Sequence, residues 1–138
     1  MKRTGFIRRR SKTNSRTHEN RALVAAYRAD NPGCELFQFS EIPGGPKGAE
    51  INHIFSTRKR WDLTSNIIHL SEAAHRWFHQ FPIDGRVACL IVKYRKGELD
   101  DAEIKQASGM HLAGWLATKV PTMDFLIEAR LELMRVFP

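Results

Sequence analysis

The chain has 138 residues, 42% of them hydrophobic, with 22 Lys and Arg against 15 Asp and Glu and a formal charge of +7. That length and apolar content can bury one core, which excludes whole-chain disorder and predicts a single folded unit. No apolar run approaches the roughly 18 residues of a membrane span, and the basic opening lacks the apolar stretch of a signal peptide. Two cysteines, Cys34 and Cys89, do not make a disulfide framework, so a cytoplasmic protein with no membrane partner is expected.

Residues 1–21 hold Lys2, Arg3, Arg8, Arg9, Arg10, Lys12, Arg16 and Arg21 against Glu19 alone, so the whole net charge sits there. Residues 1–16 are expected to form a flexible basic arm suited to phosphate contact, where each neutralised phosphate releases counterions. A solubilising tail has the same composition. Thr17 to Ala29 predicts a helix with Ala22, Leu23, Ala26 and Tyr27 on one face, stopped by Asn31-Pro32-Gly33. Leu36 to Phe39 predicts a short strand, Pro43-Gly44-Gly45-Pro46 a tight loop, and Ala49 to Phe55 a second strand. Ser56 to Ser65 is a polar loop carrying Arg58, Lys59 and Arg60. Asn66 to Leu70 leads into an amphipathic helix from Ser71, a good N-cap with Glu72 in the first turn, to Phe81. Another helix is expected from Asp84 or Gly85 to about Lys93, burying Val87, Leu90 and Ile91 and broken by Lys96-Gly97. Asp100 to Ala107 and Met110 to Thr118 read as short helices. Met123 to Val136 reads as a last one, with Phe125, Leu126, Leu131, Leu133 and Met134 as its apolar positions. This second half shows no legible chemistry; packing on the first half is its expected role, with subunit contact as an alternative.

The chemistry is concentrated between residues 50 and 79. His75 and His79 lie four apart on the predicted helix, which stacks both imidazoles on one face, one turn apart. Two such side chains can hold one divalent cation and leave its other positions open. Upstream, His53 follows Asn52, an oxygen ligand candidate, at the end of an apolar-alternating segment. His69 falls on the other strand face and reads as structural.

Together, Glu50-x-Asn52-His53-Ile54, Asn66-Ile67-Ile68-x-Leu70 and His75-x3-His79 resemble the HNH endonuclease signature of the ββα-metal superfamily. The likeness covers about residues 34–82, and His75-Arg76-Trp77-Phe78-His79-x-x-Pro82 after a basic opening is similar to small phage-type HNH proteins. The resemblance implies an α+β fold: a ββα-metal core over 17–82, with an N-terminal arm and helix and a C-terminal helical extension over 83–138. It implies hydrolysis of DNA phosphodiester bonds. His53 would be the general base, and Asn66 would fix the loop that carries it. Asn52, His75 and His79 would ligate one divalent ion of undetermined identity (Mg, Mn, Zn or Ni). Many relatives have His or Asp where Asn52 stands, and an amide oxygen is a weaker ligand, so Glu50 or waters are candidates to complete the shell. Glu50 also matches an acidic position that pairs with an arginine in colicin-type DNases; here Lys47 is the nearest upstream base. Arg8, Arg9, Arg10, Arg58, Lys59, Arg60 and Arg76 are the candidates for gripping DNA, and each reads equally as a solvated surface charge.

Many HNH proteins of this type carry a structural zinc on two Cys-x2-Cys pairs. Cys34 stands where one pair would begin, but Phe37, Ser71 and Ala74 occupy the other three positions. One cysteine cannot close a four-ligand set, so no structural zinc is expected, and Cys34 and Cys89 read as small core side chains. Two other functions stay open: a nucleic-acid-binding module on the same scaffold that has lost catalysis, within a phage packaging or recombination complex, and an RNase.

Overall fold

The computed structural model describes residues 19–57 and 59–138. The arm expected over 1–16, with Arg8, Arg9 and Arg10, and the loop residue Arg58 lie outside them. The described chain is α+β, a small two-stranded antiparallel sheet among helices. Helix α1 spans Arg21–Asp30, and the Asn20 side chain caps it by accepting from the Leu23 N–H at 3.0 Å. Of the four residues expected on its inner face, Tyr27 is buried and Leu23 half-buried, while Ala22 and Ala26 are exposed. The helix rests on the molecule through one aromatic foot.

That foot stands in a buried polar network. The Tyr27 hydroxyl donates to Glu35 Oε2 at 2.6 Å and accepts from the fully buried Lys93 at 2.9 Å. Lys93 also donates to Glu98 Oε1 at 2.9 Å and lies 4.1 Å from the Tyr27 ring centroid. Lys96 contacts Glu35 and donates to Asn31 Oδ1 at 2.8 Å. Burial pulls the Lys93 ammonium below its ordinary value although Glu98 opposes this, and burial with Glu35 pushes the Tyr27 hydroxyl up. Sequence reading finds none of this network, because its members lie far apart in the chain.

The strand expected at Leu36 to Phe39 is a run of turns instead. Phe37 N–H donates to Cys34 O, Phe39 N–H to Leu36 O, and Ile42 N–H to Phe39 O. The alternation of buried Leu36 and exposed Phe37 fits a strand period, but the backbone bonds are satisfied locally and no partner strand is needed. This coiled segment seats Cys34, Leu36 and Ile42 in the core. Gly44 closes it at φ 121°, and a Cβ there would stand 2.3 Å from Ser71 Oγ, so only glycine lets the loop meet the start of the next helix.

Strand β1, Glu50–His53, is shorter than the expected 49–55 and pairs antiparallel with β2, Ile67–Leu70. The register sets Glu50 opposite Leu70 and His53 opposite Ile67. A 3₁₀ turn, Thr64–Asn66, leads into β2. All four β2 residues are buried, including His69, which sits 2.7 Å from the Asn31 carbonyl through Nδ1. It is structural, as its strand face requires. Helix α2, Glu72–Gln80, starts at Ser71, whose hydroxyl accepts from the Ala74 N–H at 3.1 Å, and it buries Ala74, Trp77 and Phe78.

Helix α3, Pro82–Arg95, begins two residues before the expected Asp84, because proline at the first position needs no N–H partner. Gly85 lets it press on α2: a Cβ there would be 2.7 Å from Phe78 Cδ2. Val87 to Val92 are all buried, so α3 is the central rod of the core. Helices α4 (Asp101–Ser108), α5 (Leu112–Thr118) and α6 (Asp124–Val136) follow. In α6 the buried stripe is Leu126, Ala129 and Leu133; Leu131 is exposed and Phe125 and Met134 only half-buried. A spacing of three and four residues explains the stripe better than apolar type alone. One hydrophobic cluster runs from Cys34 to Leu133, so the two expected sub-units share a single core.

Candidate active site

The two-residue period of β1 sends Glu50 and Asn52 to one side and Ile51 and His53 to the other. On the Glu50 side stands α2. His75 and His79, one helical turn apart, bring their Nε2 atoms to 3.0 Å. That is near the ~3.3 Å separating two nitrogens that share one tetrahedral ion at ~2.0–2.1 Å. Glu50 meets the opposite nitrogen of His75, Nδ1. A carboxylate there fixes the tautomer, with the proton on Nδ1 and the lone pair on Nε2 turned toward His79. Glu50 therefore backs a ligand candidate and does not point into the space between the two imidazoles. The His79 imidazole is held below its ordinary value by desolvation, then by the nearby charges of His75, Arg86 and Arg60. Lone pairs that stay free of protons are what a cation requires.

Asn52 is 2% exposed, and its amide Nδ2 is a buried polar atom with no partner. An orphaned buried donor is costly and calls for an explanation. Half a turn of the amide exchanges that nitrogen for the oxygen, which would add a neutral oxygen donor on the strand face that carries Glu50. Among the described residues no three His, Cys, Asp or Glu side chains form a metal cluster by themselves. The donor set that fits an ion is thus two imidazoles and one amide, as the motif spacing requires, with solvent left to fill the rest.

Asn66 is fully buried and spends its whole amide on backbone. Its Oδ1 accepts from Phe55 N–H at 2.8 Å, and its Nδ2 donates to Phe55 O at 3.1 Å and to Trp61 O at 2.9 Å. With Ile54 N–H donating to the Asn66 carbonyl at 2.8 Å, this pins both ends of the loop after His53. Arg86 adds a second clamp: its Nε donates to Ile54 O at 2.8 Å, and its guanidinium lies 5.5 Å from the Phe55 ring centroid. Arg86 comes from α3, where the sequence shows no chemistry.

His53 ends β1 on the far side of the strand. Its Nε2 lies 2.7 Å from Asp62 Oδ1, with side-chain exposures of 15% and 11%. Asp62 Oδ2 accepts from the Asn20 N–H at 2.8 Å, just before α1. The carboxylate thus joins the histidine to the helix start. Asp62 is not legible as a site residue, since a single aspartate in a polar loop carries no signal until the fold brings it to His53. A cleft of about 580 Å³ opens here between α1 and β1, with His53 and Asp62 in its wall. The proposed base and the proposed ligands therefore flank β1 on opposite sides.

Of the basic candidates described, Lys59 and Arg60 are exposed in the loop between His53 and Asn66. Arg60 is close enough to His79 to act on its charge. Arg76 is turned outward on α2 in a 3.4 Å surface pair with Glu72. No family model, curated protein or solved structure matches the chain.

Proposed function

We propose that the chain is a metal-dependent endonuclease of the HNH type that hydrolyses DNA phosphodiester bonds. The observation that carries this reading is the convergence of His75 Nε2 and His79 Nε2 at 3.0 Å, with Glu50 on the outer nitrogen of His75. A divalent ion held by His75, His79 and Asn52 would neutralise the scissile phosphate and stabilise the leaving oxygen. The chain's own residues do the rest. A phosphodiester lying across the C-terminal end of β1 would have the His75–His79 pair on one flank and His53 on the other. Asp62 accepts the Nε2 proton of His53, which leaves Nδ1 as the nitrogen able to take a proton from an attacking water. The same carboxylate compensates the charge the ring acquires when it does so. Asn66 and Arg86 hold the backbone on either side of this residue, so the base stays in register. Arg60, and Lys59 beside it, supply positive charge at the mouth. A catalytically inactive nucleic-acid-binding module and an RNase are the competing readings; the Asp62 carboxylate on His53 favours an enzyme over an inert scaffold.

The histidines separate by experiment. His53→Ala removes the proton acceptor and should lower plasmid cleavage by about 10²–10⁴-fold, while titration calorimetry still detects metal binding. His75→Ala or His79→Ala should lose metal affinity along with activity. If His53→Ala loses the metal as badly as His79→Ala, His53 is a ligand and the assignment of roles is wrong.

A further inference from the structure

We infer that the cleft under α1 is a nucleotide subsite, so that the chain engages an unpaired strand where it cuts; this deepens the nuclease reading of His53 and rests on it. Arg21, Val24, Ala25 and Arg28 follow one another at helical spacing and form a stripe turned away from the buried Tyr27. This stripe is one wall of the cleft, and Ile51 with His53 is the other. Such an exposed helix face is ordinarily polar along its length. Here its middle is apolar and its two ends are guanidinium groups, seven residues or about 10 Å apart along the axis. Among the described residues neither Arg21 nor Arg28 has an ion pair or a side-chain hydrogen bond. They are cations with nothing to neutralise inside the fold.

The lining specifies the occupant. Cationic ends ask for anionic groups on either side of something flat and apolar, which describes a base between two phosphates. The volume, about 580 Å³, falls in the range of pockets that enclose one small ligand. It admits one base with its sugar and cannot admit two paired strands. Single-strand sites combine a basic track with platforms for base faces. Here the platform is aliphatic, from Val24, Ala25 and Ile51, so binding would be sequence-tolerant. His53 lies in the same wall, so a nucleotide seated there would set the adjoining phosphodiester beside the base.

The test measures binding of the full chain in chelator, so that no cleavage occurs. Fluorescence anisotropy compares an oligothymidylate of about 12 nucleotides with a duplex of the same length. Ala25→Leu fills the cleft from an exposed helical position that accepts leucine, and its melting curve confirms folding. The wild type should prefer the single strand. Ala25→Leu should weaken that binding roughly tenfold, the weight of one stacked base, and leave duplex binding unchanged. Arg28→Gln should flatten the salt dependence of single-strand binding by about 0.7. Equal wild-type affinity for both forms, or single-strand affinity that Ala25→Leu does not change, overturns the proposal. A chain that cleaves nothing yet shows the preference and its loss in Ala25→Leu keeps the subsite and removes only the nuclease reading.

Discussion

Asp62 is the residue on which the proposed base depends. One carboxylate oxygen holds His53 Nε2 at 2.7 Å and the other takes the Asn20 N–H at 2.8 Å, so it orients a ring and anchors a helix start together. Asp62→Asn keeps the size but presents an amide whose N–H₂ cannot accept from the ring. The expected result is a fall in turnover of about 10²-fold or more, as for other losses of a histidine's orienting carboxylate, with metal affinity unchanged. Single-turnover kinetics beside calorimetry checks this; unchanged turnover would mean that Asp62 only fastens α1. The roles of Asn66 and His69 are legible residue by residue, because one stands at a motif position and the other on a predictable strand face. Those of Asp62 and Arg86 are not, because each is defined by a partner that folding supplies from another element.

At the level of elements, α1 forms one wall of the cleft and is fastened by Tyr27, whose hydroxyl is held by Glu35 and Lys93. Burial would raise the Glu98 carboxyl, but the hydrogen bond and charge of Lys93, together with Lys96, outweigh it and hold Glu98 below its ordinary value. A depressed carboxyl contributes stability that is complete above the ordinary carboxylate range and is lost as pH falls through the lower folded value. Acid should therefore loosen the α1 attachment, and Glu98→Gln should flatten the stability curve over that window in urea melts. The two partners are not equivalent. Glu98→Gln strands a fully buried ammonium and should cost about 2 kcal/mol, between the values for surface and buried pairs. Lys93→Met removes the buried charge and leaves Glu98 with Lys96 at 3.3 Å, so it should cost less. The reverse order would mean that Lys93 is held for attraction rather than tolerated. Helix positions are largely legible from caps and breakers: Ser71, Asp100 and Gly97 mark real boundaries. The Leu36 segment departs from its expected strand because an alternating pattern also fits consecutive turns when the backbone pairs locally.

On the scale of the whole molecule, one core supports a site assembled from β1, β2, α2 and the loop between the strands, with Arg86 reaching in from α3. The C-terminal helices thus matter to the site through packing, which no motif could reveal. The sequence places all of its net charge in residues 1–21. Removing residues 1–16 should flatten the salt dependence of duplex binding by about 0.9 for each phosphate left without its cation; an unchanged slope would show that this segment does not engage the backbone. Among the described residues no helix is long and apolar enough to cross a membrane. The central claim, metal-dependent cleavage of DNA, is tested most directly by incubating the full chain with supercoiled plasmid and Mg, Mn, Zn or Ni in turn. The account predicts nicked or linear product with at least one ion, none after chelation, and none from His79→Ala. Intact plasmid with every ion, or cleavage that persists undiminished in His79→Ala, would contradict it.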